Sequence, residues 1–397
     1  MNKELKEKYL KLYKEELFNY CIPFWLKHGI DKEYGGLINC LDRFGNVYSS
    51  DKSVWMQGRC AWMFSYLSNE FGENKEYLDF SKSCLDFLDK YCFDTDGRMY
   101  FTVTRDGKPL RKRRYFFSET FYVMAAIEYY KATNDKSYLE KARRVYDLVW
   151  SIFRNPESDP FKIFPKVYPE TRSTKSMAAP MIILNINYIM RSIDKERVNL
   201  YNDNALVCID EIKKHYNKEL NGMFESISSD DSFIMDVSTE RIINPGHDLE
   251  CSYFLAQEAL FSNDKDLFSF SETIFHDAIK RGWDLEFGGI KYFVDALGLP
   301  VEAYEHDMKL WWTHNEGINA SLLMYKETGN EYYLDWFIKL TDYAFSHFSD
   351  HEYGEWYGYL RRDGKVTEPP CKGHTYKGPF HVMRSLVTVI KLLESMD

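Results

Sequence analysis

Several features that would assign this chain to a common protein class are missing from its sequence. No apolar run approaches the roughly 18 residues that a bilayer-spanning helix requires, and the charged N-terminal segment lacks an apolar signal core. The eight cysteines form no C-x-x-C pair, so the sequence predicts neither a zinc site nor a disulfide framework. We therefore expect a cytoplasmic protein with reduced thiols and no membrane partner.

Basic residues are also few relative to acidic ones. The chain has 51 Lys and Arg against 61 Asp and Glu, which gives a formal net charge of −10. The nearest approach to a basic run, Arg111-Lys-Arg-Arg114, is typical of a solvated hairpin end. Because nucleic-acid phosphates bind clusters of Lys and Arg, we expect no nucleic-acid partner.

What the sequence does contain is a recurring glycine turn. Five such turns begin, at gaps of 62, 125, 66 and 66 residues, with Gly35, Gly97, Gly222, Gly288 and Gly354. Each is followed by a second turn, at Gly45, Gly107, Asp231, Gly298 and Gly364. Since the long gap is close to two short ones, the spacing predicts six copies of one unit of about 65 residues, with one turn missing near residue 160.

Each unit has the same order of sequence patterns. An alternating aromatic stretch such as 97–104 predicts a hairpin, a segment apolar on all sides such as 121–127 predicts a buried inner helix, and an amphipathic segment such as 138–147 predicts an outer helix. The first outer helix is predicted at 6–27. Six helix pairs either stack into an open solenoid or close into a ring. The terminal helices carry no polar cap, which an open solenoid would need, so the pattern favours a closed ring. We therefore predict an all-α fold, an (α/α)6 barrel with short β-hairpins at one mouth, formed by a single domain over residues 1–397.

The loop from each hairpin to its inner helix is expected to reach the barrel axis. Titratable residues lie 22 to 27 residues after the first glycine of five units, at Arg59, Glu119, His247, His314 and His381. Because these positions are equivalent in the repeat, we expect the side chains to converge. The third unit has no titratable group at 177–180 and is expected to shape the cavity.

Two histidines open helices in this pattern. His247 follows Pro-Gly, and a helix N-terminus disfavours imidazolium, so the ring is expected to stay neutral and act as a base. Glu250 lies one turn further and is a candidate to orient the ring, although Asn, Gly and Glu at these positions also suit a helix cap. His381 and Arg384 show the same spacing at the last helix, where the alternative is a packed histidine.

Arg59 lies in an apolar setting between Trp55 and Trp62. An unpaired buried arginine is costly, so Arg59 is expected to meet a bound anion, or to pair with a carboxylate such as Glu119 or Glu316.

A pair of tryptophans, Trp311-Trp312, is either a sugar-stacking platform or part of the core. A ring of His, Glu, Arg and Trp suits a polar, hydroxylated small molecule. Two histidines facing opposite sides of such a molecule are able to exchange a proton at a stereocentre. Arg59 would then stabilise the enediolate oxygen as charge develops.

These motifs occur in an ordered set along nearly the whole chain. The segments are Val54-Trp-Met-Gln-Gly-Arg59, Thr104-Arg-Asp-Gly107, Phe117-Ser-Glu119, Asn244-Pro-Gly-His247, Met308-Lys-Leu-Trp-Trp312, Glu352-Tyr-Gly-Glu-Trp356 and Phe380-His-Val382. The set resembles the N-acylglucosamine 2-epimerase family, which includes the renin-binding protein. The resemblance implies an (α/α)6 barrel and metal-free interconversion of N-acetylglucosamine and N-acetylmannosamine, by ring opening and proton transfer at C2.

The resemblance also assigns roles to individual residues. His247 and His381 become the acid/base pair, and Arg59 and Glu250 become essential supporting groups. The candidate substrate-binding residues are Glu316, Trp55, Gln57, Trp311, Glu119 and Arg384. No cofactor is expected to be required. ATP is a candidate effector, although the sequence has no G-x-x-x-x-G-K-[ST] motif. We expect a homodimer that acts on a small amino sugar.

Other functions are compatible with the same residues. An epimerase or aldose–ketose isomerase of the mannose or cellobiose type would share the enediolate. A glycosidase would need two carboxylates, which Glu250 and Glu316 could supply. A metal enzyme could use His247, His314 and His381 as ligands. A protein-binding role without catalysis is the remaining alternative.

Overall fold

Helices make up most of the computed structural model, which describes residues 1–162 and 167–396. In chain order they are α1 (Lys3–Glu15), α2 (Ile22–His28), α3 (Val54–Phe71), α4 (Lys75–Tyr91), α5 (Phe117–Thr133), α6 (Lys136–Arg154), α7 (Pro169–Arg172), α8 (Ala178–Ile193), α9 (Val198–Lys214), α10 (Pro245–Ser262), α11 (Lys265–Gly282), α12 (Trp311–Thr328), α13 (Glu331–His347) and α14 (His381–Glu394). A π-helical stretch, Glu16–Cys21, joins α1 to α2. The predicted first outer helix therefore spans both.

Six of these helices form a closed inner ring. In order around the ring they are α3, α5, α8, α10, α12 and α14; each contacts the next, and α14 contacts α3. Their apolar sequences match this position, since every residue of α12 from Trp311 to Tyr325 is buried. The outer helices pack against this ring, and α1 contacts α14. The predicted (α/α)6 barrel is confirmed.

The strands are short and lie at the N-terminal ends of the inner helices. They are β1 (Cys40–Leu41), β2 (Val47–Ser49), β3 (Lys52–Ser53), β4 (Thr102–Val103), β5 (Pro109–Arg111), β6 (Thr174–Ser176), β7 (Tyr216–Asn217), β8 (Gly222–Met223), β9 (Ser226–Ser228), β10 (Ile242–Ile243), β11 (Val294–Asp295), β12 (Lys309–Leu310) and β13 (Tyr359–Leu360). All pairings are antiparallel: β1–β2, β3–β4–β5, β6–β9, β7–β8, β10–β11 and β12–β13. Because β3 pairs with β4, and β12 with β13, the strands also join one unit to the next.

The backbone conformation of the predicted turns explains why glycine recurs in them. Gly35 and Gly354 have φ of 81° and 84°, in the left-handed region that glycine tolerates. Asp231, the one non-glycine among the predicted second turns, has φ of 71°. In the fourth unit the left-handed residue is Asn221, with φ of 50°, in place of its neighbour Gly222. Asparagine tolerates this region better than most residues do, so the turn is kept with the spacing shifted by one.

Buried charge clusters, which we call clamps, connect neighbouring units at the hairpin mouth. In each clamp the aspartate that begins a glycine turn binds a fully buried lysine and an arginine from the second turn of the following unit. The three clamps are Asp31–Lys52–Arg105, Asp284–Lys309–Arg362 and Asp350–Lys372–Arg43. The last one joins the sixth unit to the first, so it closes the ring.

Hydrogen bonds in the clamps keep their aspartates ionised. Burial alone would raise the pKa of Asp350, but hydrogen bonds from Arg43, Tyr357 and Lys372 hold it well below its usual range. The Asp350 carboxylate is therefore negatively charged in the folded protein at neutral pH.

The third unit lacks a glycine hairpin of its own but keeps its inner helix, α8. Its strand β6 pairs with β9 of the fourth unit. A cavity of about 920 Å³ lies beside the start of α8, where Ala179 and Pro180 form part of its wall. The predicted missing turn near residue 160 falls partly on residues 163–166, which lie outside the described residues. No helix in the described ranges is both long enough and apolar enough to cross a bilayer.

Candidate active site

The candidate catalytic side chains lie near the N-terminal ends of three inner helices. Arg59, Glu250 and Glu316 are each five residues after the first residue of their helices, Val54, Pro245 and Trp311. The same helical position points to the same place in the ring, so the repeat brings the three side chains together.

His247 is held by a carboxylate that the sequence analysis missed. Its Nδ1 lies 2.8 and 3.0 Å from the two carboxylate oxygens of Glu225, at the end of the fourth hairpin. Asn244 caps the helix by accepting hydrogen bonds from the backbone N–H groups of Gly246 and His247. The prediction that Glu250 orients His247 is wrong, because Glu250 binds Arg384 instead. The short spacing favoured a neighbour on the same helix, whereas the actual partner comes from the hairpin.

Glu225 also changes the ionisation of His247. Burial opposes the charged ring, but Glu225 outweighs it, and the pKa of His247 is raised above its ordinary value of 6.5. The expected effect of the helix N-terminus, a neutral ring, is opposed by Glu225, which favours the protonated form. Since Nδ1–H donates to Glu225, the ring nitrogen left for a ligand is Nε2.

His381 is fixed in the same manner by a different carboxylate. Its Nδ1 lies 2.7 Å from Oε1 of Glu316. Burial, together with the positive charges of Arg59 and Arg384, holds the pKa of His381 well below 6.5. The surroundings of the two histidines therefore differ: those of His381 favour the neutral ring, and those of His247 favour the protonated ring.

Arg384 holds the two glutamates of the site together. Its Nη2 donates to Oε1 of Glu250, at 3.1 Å, and to Oε1 of Glu316. Burial opposes the charge, but the two carboxylates raise the pKa of Arg384 above its ordinary value. Burial also raises the pKa of Glu316, whose second oxygen has no hydrogen-bond partner in the described parts of the chain.

Arg59 is the cation of the site that lacks a carboxylate contact. Its guanidinium lies over the rings of Phe121 and Phe380, at 4.2 and 4.7 Å, and its Nε has no partner within the described ranges. Burial lowers the pKa of Arg59 to about 9, so the side chain stays positive at pH 7. The alternative of an ion pair with Glu119 or Glu316 is not formed. Arg59 is thus available to an anionic group of a ligand.

Trp312, the second member of the tryptophan pair, lies close to both histidines. Its ring centre is 5.1 Å from that of His247 and 5.9 Å from that of His381. Trp311 is further back: its ring packs on Tyr359 at 5.4 Å, and its centre is 6.4 Å from that of His381. Trp311 thus packs against Tyr359 in the core, and a sugar-stacking role for the pair stays a prediction.

Trp55 lies at the edge of the same region. It is partly exposed and packs against Phe117 and Phe121, at 5.7 and 5.8 Å. Phe121 in turn supports Arg59, so Trp55 forms an aromatic rim beside the cation.

Three predicted residues are not part of this cluster. Gln57, Glu119 and His314 each accept a hydrogen bond from a backbone N–H of their own hairpin, at Leu37, Met99 and Ile290 respectively. Glu119 also pairs with the buried Arg98. These side chains anchor hairpins to inner helices, so the expectation that His314 converges with the other histidines is wrong, while substrate binding by Gln57 and Glu119 stays a prediction.

A metal site is poorly compatible with this arrangement. One donor atom from each of Glu250, Glu316 and His381 lies within 4.8 Å of the others. However, Arg384 already donates to both glutamates, and its positive charge would oppose a cation in that space. The alternative set that included His314 is not assembled, because that ring binds Ile290.

The large cavity beside α8 adjoins this cluster at two points. Its wall contains Phe117, which contacts Trp55, and Ser226, the chain neighbour of Glu225. Phe117 and Ser226 thus link the cavity wall to Trp55 and Glu225, and the role of the third unit in shaping the site stays a prediction.

Comparison with known proteins places this site in a family. The family model for N-acylglucosamine 2-epimerase matches residues 36–383. The N-acylglucosamine 2-epimerase of Bos taurus is 35% identical over 99% of this chain and 94% of its own, and that of Mus musculus is 36% identical over 96% and 91%. In fold, the chain is similar to the cellobiose 2-epimerase from Spirochaeta thermophila, with a TM-score of 0.85 and 21% identity over 99% of this chain and 98% of that one. The chain belongs to the N-acylglucosamine 2-epimerase family.

Proposed function

We propose that this protein is a sugar epimerase that interconverts N-acetylglucosamine and N-acetylmannosamine at C2. The observation that carries the proposal is the pair of histidines beside Trp312, each held through Nδ1 by a glutamate. Relatives called N-acylglucosamine 2-epimerase, at 33 to 36% identity over nearly the whole chain, support the choice of an N-acyl amino sugar.

Proton transfer in the open-chain sugar accounts for the change at C2. After ring opening, Nε2 of one histidine removes the proton from C2, and the C–H electron pair forms the C1=C2 bond of an enolate with its negative charge on O1. Nε2–H of the other histidine returns a proton to the opposite face, the C1 aldehyde reforms, and the ring closes. The ionisation states favour His381 as the base and His247 as the acid in one direction, with roles exchanged in the other.

Arg59 stabilises the charged intermediate in this proposal. An enolate oxygen is an anion that exists only during the reaction, and a buried cation without a carboxylate contact binds it more strongly than it binds the neutral aldehyde. Glu225 and Glu316 fix the tautomers of the two rings, so that Nε2 faces the substrate in both.

Side chains supply both proton transfers, so we propose that neither a metal nor an organic cofactor is required. ATP is proposed only as an effector, and a change of kcat with a non-hydrolysable analogue would test it. We also propose a homodimer located in the cytoplasm, to be tested by light scattering and by cell fractionation.

Related reactions give different products on the same site. An aldose–ketose isomerase would move the C2 proton to C1 and release a ketose, so detection of ketose as the main product would replace the epimerase proposal. A glycosidase needs carboxylates on opposite sides of a bond. Glu250 and Glu316 instead both accept from one nitrogen of Arg384, which disfavours that reaction.

The proposal is tested by assaying N-acetylmannosamine turnover in His247→Ala and His381→Ala. We expect each variant to lose at least about a hundredfold in kcat, the usual contribution of a general acid or base. His351→Ala is the matched control, since this histidine also binds a glutamate, Glu16, but lies away from the site. Wild-type activity in either of the first two variants would refute the two-histidine mechanism.

A further inference from the structure

A second polar depression lies on the far side of Arg384 from the candidate catalytic histidines. It has a volume of about 140 Å³ and lies further along the inner helices. We call it the rear pit, and its lining includes Trp62, Tyr66, Asn185, Tyr188, Gln257 and Arg384. Arg384 is the residue shared with the active site, where its Nη2 binds Glu250 and Glu316.

Two hydrogen-bond donors that belong to residues lining the rear pit lack acceptors. Nε1 of Trp62 and Nε of Arg384 are buried and have no partner in the described parts of the chain, although the residues are only 5% and 7% exposed. Both groups donate and neither accepts. Buried polar groups are normally paired, and an occupant with acceptor oxygens that reached these two donors would complete them.

The remaining lining indicates the chemical class of that occupant. The ring of Trp62 stacks on Tyr66 at 4.7 Å, which gives a flat aromatic wall. Asn185 and Gln257 add side-chain amides, which both donate and accept. The charges nearby are already balanced, since Lys131 at the rim pairs with Glu128 and Glu70. Aromatic and amide walls without spare charge suit hydroxyl groups rather than an ion.

We infer that the rear pit is a second binding site, for a small neutral polyhydroxylated molecule that accepts hydrogen bonds from Trp62 and Arg384. Its volume matches a short polyol or one end of a sugar. Because Arg384 binds both active-site glutamates, the occupant is coupled to the catalytic network through one guanidinium group. Only this coupling rests on the proposed epimerase function.

Ligand-observed NMR with xylitol tests the binding site. We expect saturable binding to the wild type that persists when the active site is saturated with N-acetylglucosamine. Trp62→Phe keeps the stacked ring but removes the N–H donor, and is expected to weaken binding about fivefold, as for one lost hydrogen bond. Asn185→Leu replaces a side-chain amide with an apolar side chain of similar size, and we expect it to weaken xylitol binding as well. It also serves as the second variant if the first fails to fold.

The controls separate this site from other causes. Trp150→Phe makes the same substitution on the outer helix α6 and is expected to leave xylitol binding unchanged. Inorganic phosphate is the anionic comparison. The inference is overturned if xylitol does not bind, if N-acetylglucosamine displaces it completely, if phosphate binds in preference, or if Trp62→Phe binds xylitol like the wild type.

A kinetic measurement tests the coupling separately. Saturating xylitol is expected to change the kcat of epimerisation by at least twofold in the wild type and not in Trp62→Phe. Binding by NMR without any change in kcat would refute the coupling and leave the binding site standing. An inactive wild type that still binds xylitol would instead refute the proposed function.

Discussion

Replacing Glu225 by glutamine removes the negative charge that holds His247 while preserving the shape of the side chain. The Nδ1–carboxylate contacts of 2.8 and 3.0 Å are charge-assisted hydrogen bonds, and both side chains are about three-quarters buried, at 26% and 23% exposure. Such bonds contribute about 1.5–3 kcal/mol, which corresponds to roughly one to two pKa units. The pKa of His247 is raised in the native protein, so Glu225→Gln is expected to lower it by about that amount.

The pH dependence of kcat/KM measures this change. Activity requires one histidine neutral and the other protonated, so the wild-type profile is bell-shaped. Its lower limb, set by His381, lies below pH 6.5, and its upper limb, set by His247, lies above it. In Glu225→Gln the upper limb moves to lower pH by about one to two units, because imidazolium at His247 is no longer stabilised. The lower limb stays in place.

Glu225→Asp provides the matched comparison. It keeps the charge on a shorter side chain, so its upper limb is expected between those of the wild type and Glu225→Gln. If Glu225→Gln has the wild-type upper limb, or if the lower limb moves instead, the assignment of Glu225 to His247 is wrong.

Three further predictions follow from the cation at the site and from the clamps. Arg59→Met is expected to keep the fold and lower kcat by about a hundredfold to a thousandfold in steady-state assays, as for a lost oxyanion donor; an unchanged kcat would remove Arg59 from the mechanism. Lys372→Met leaves Asp350 buried without its lysine and is expected to lower the free energy of unfolding by about 3–5 kcal/mol in urea titrations, whereas the exposed Lys326→Met should change it little. Folding lowers the pKa of Asp350, so the clamp stabilises the protein above about pH 4, and this stabilisation is lost as the pH falls further. Urea titrations from pH 7 to pH 3 should show the falling free energy of unfolding. The fall should be smaller in Asp350→Asn.

The repeat predicted the ring because each unit carries its own signals. The left-handed turns at Gly35 and Gly354, and at the aspartate in position 231, are local conformations that a sequence specifies directly. Closure of the ring was predicted because the terminal helices carry no polar cap. The clamp between Asp350 and Arg43 joins the two ends of the chain, and no local pattern predicts that contact.

The site was predicted less completely because its contacts depend on helix rotation. His247 and His314 lie 25 and 26 residues after their glycines, yet one residue along a helix is a rotation of about 100°. His247 is two residues into its helix and binds Glu225, whereas His314 is three residues into its helix and binds Ile290 of its own hairpin. Glu225 could not be assigned to His247 from spacing, because the contact crosses a hairpin and a loop.

The direct test of the central claim is exchange of the C2 proton in heavy water by the two single-histidine variants. If His247 and His381 act on opposite faces, each variant loses epimerisation but still exchanges the C2 proton of one epimer. His247→Ala should label one of N-acetylglucosamine and N-acetylmannosamine, and His381→Ala should label the other. Exchange of the same epimer by both variants, or of both epimers by either one, would contradict the account.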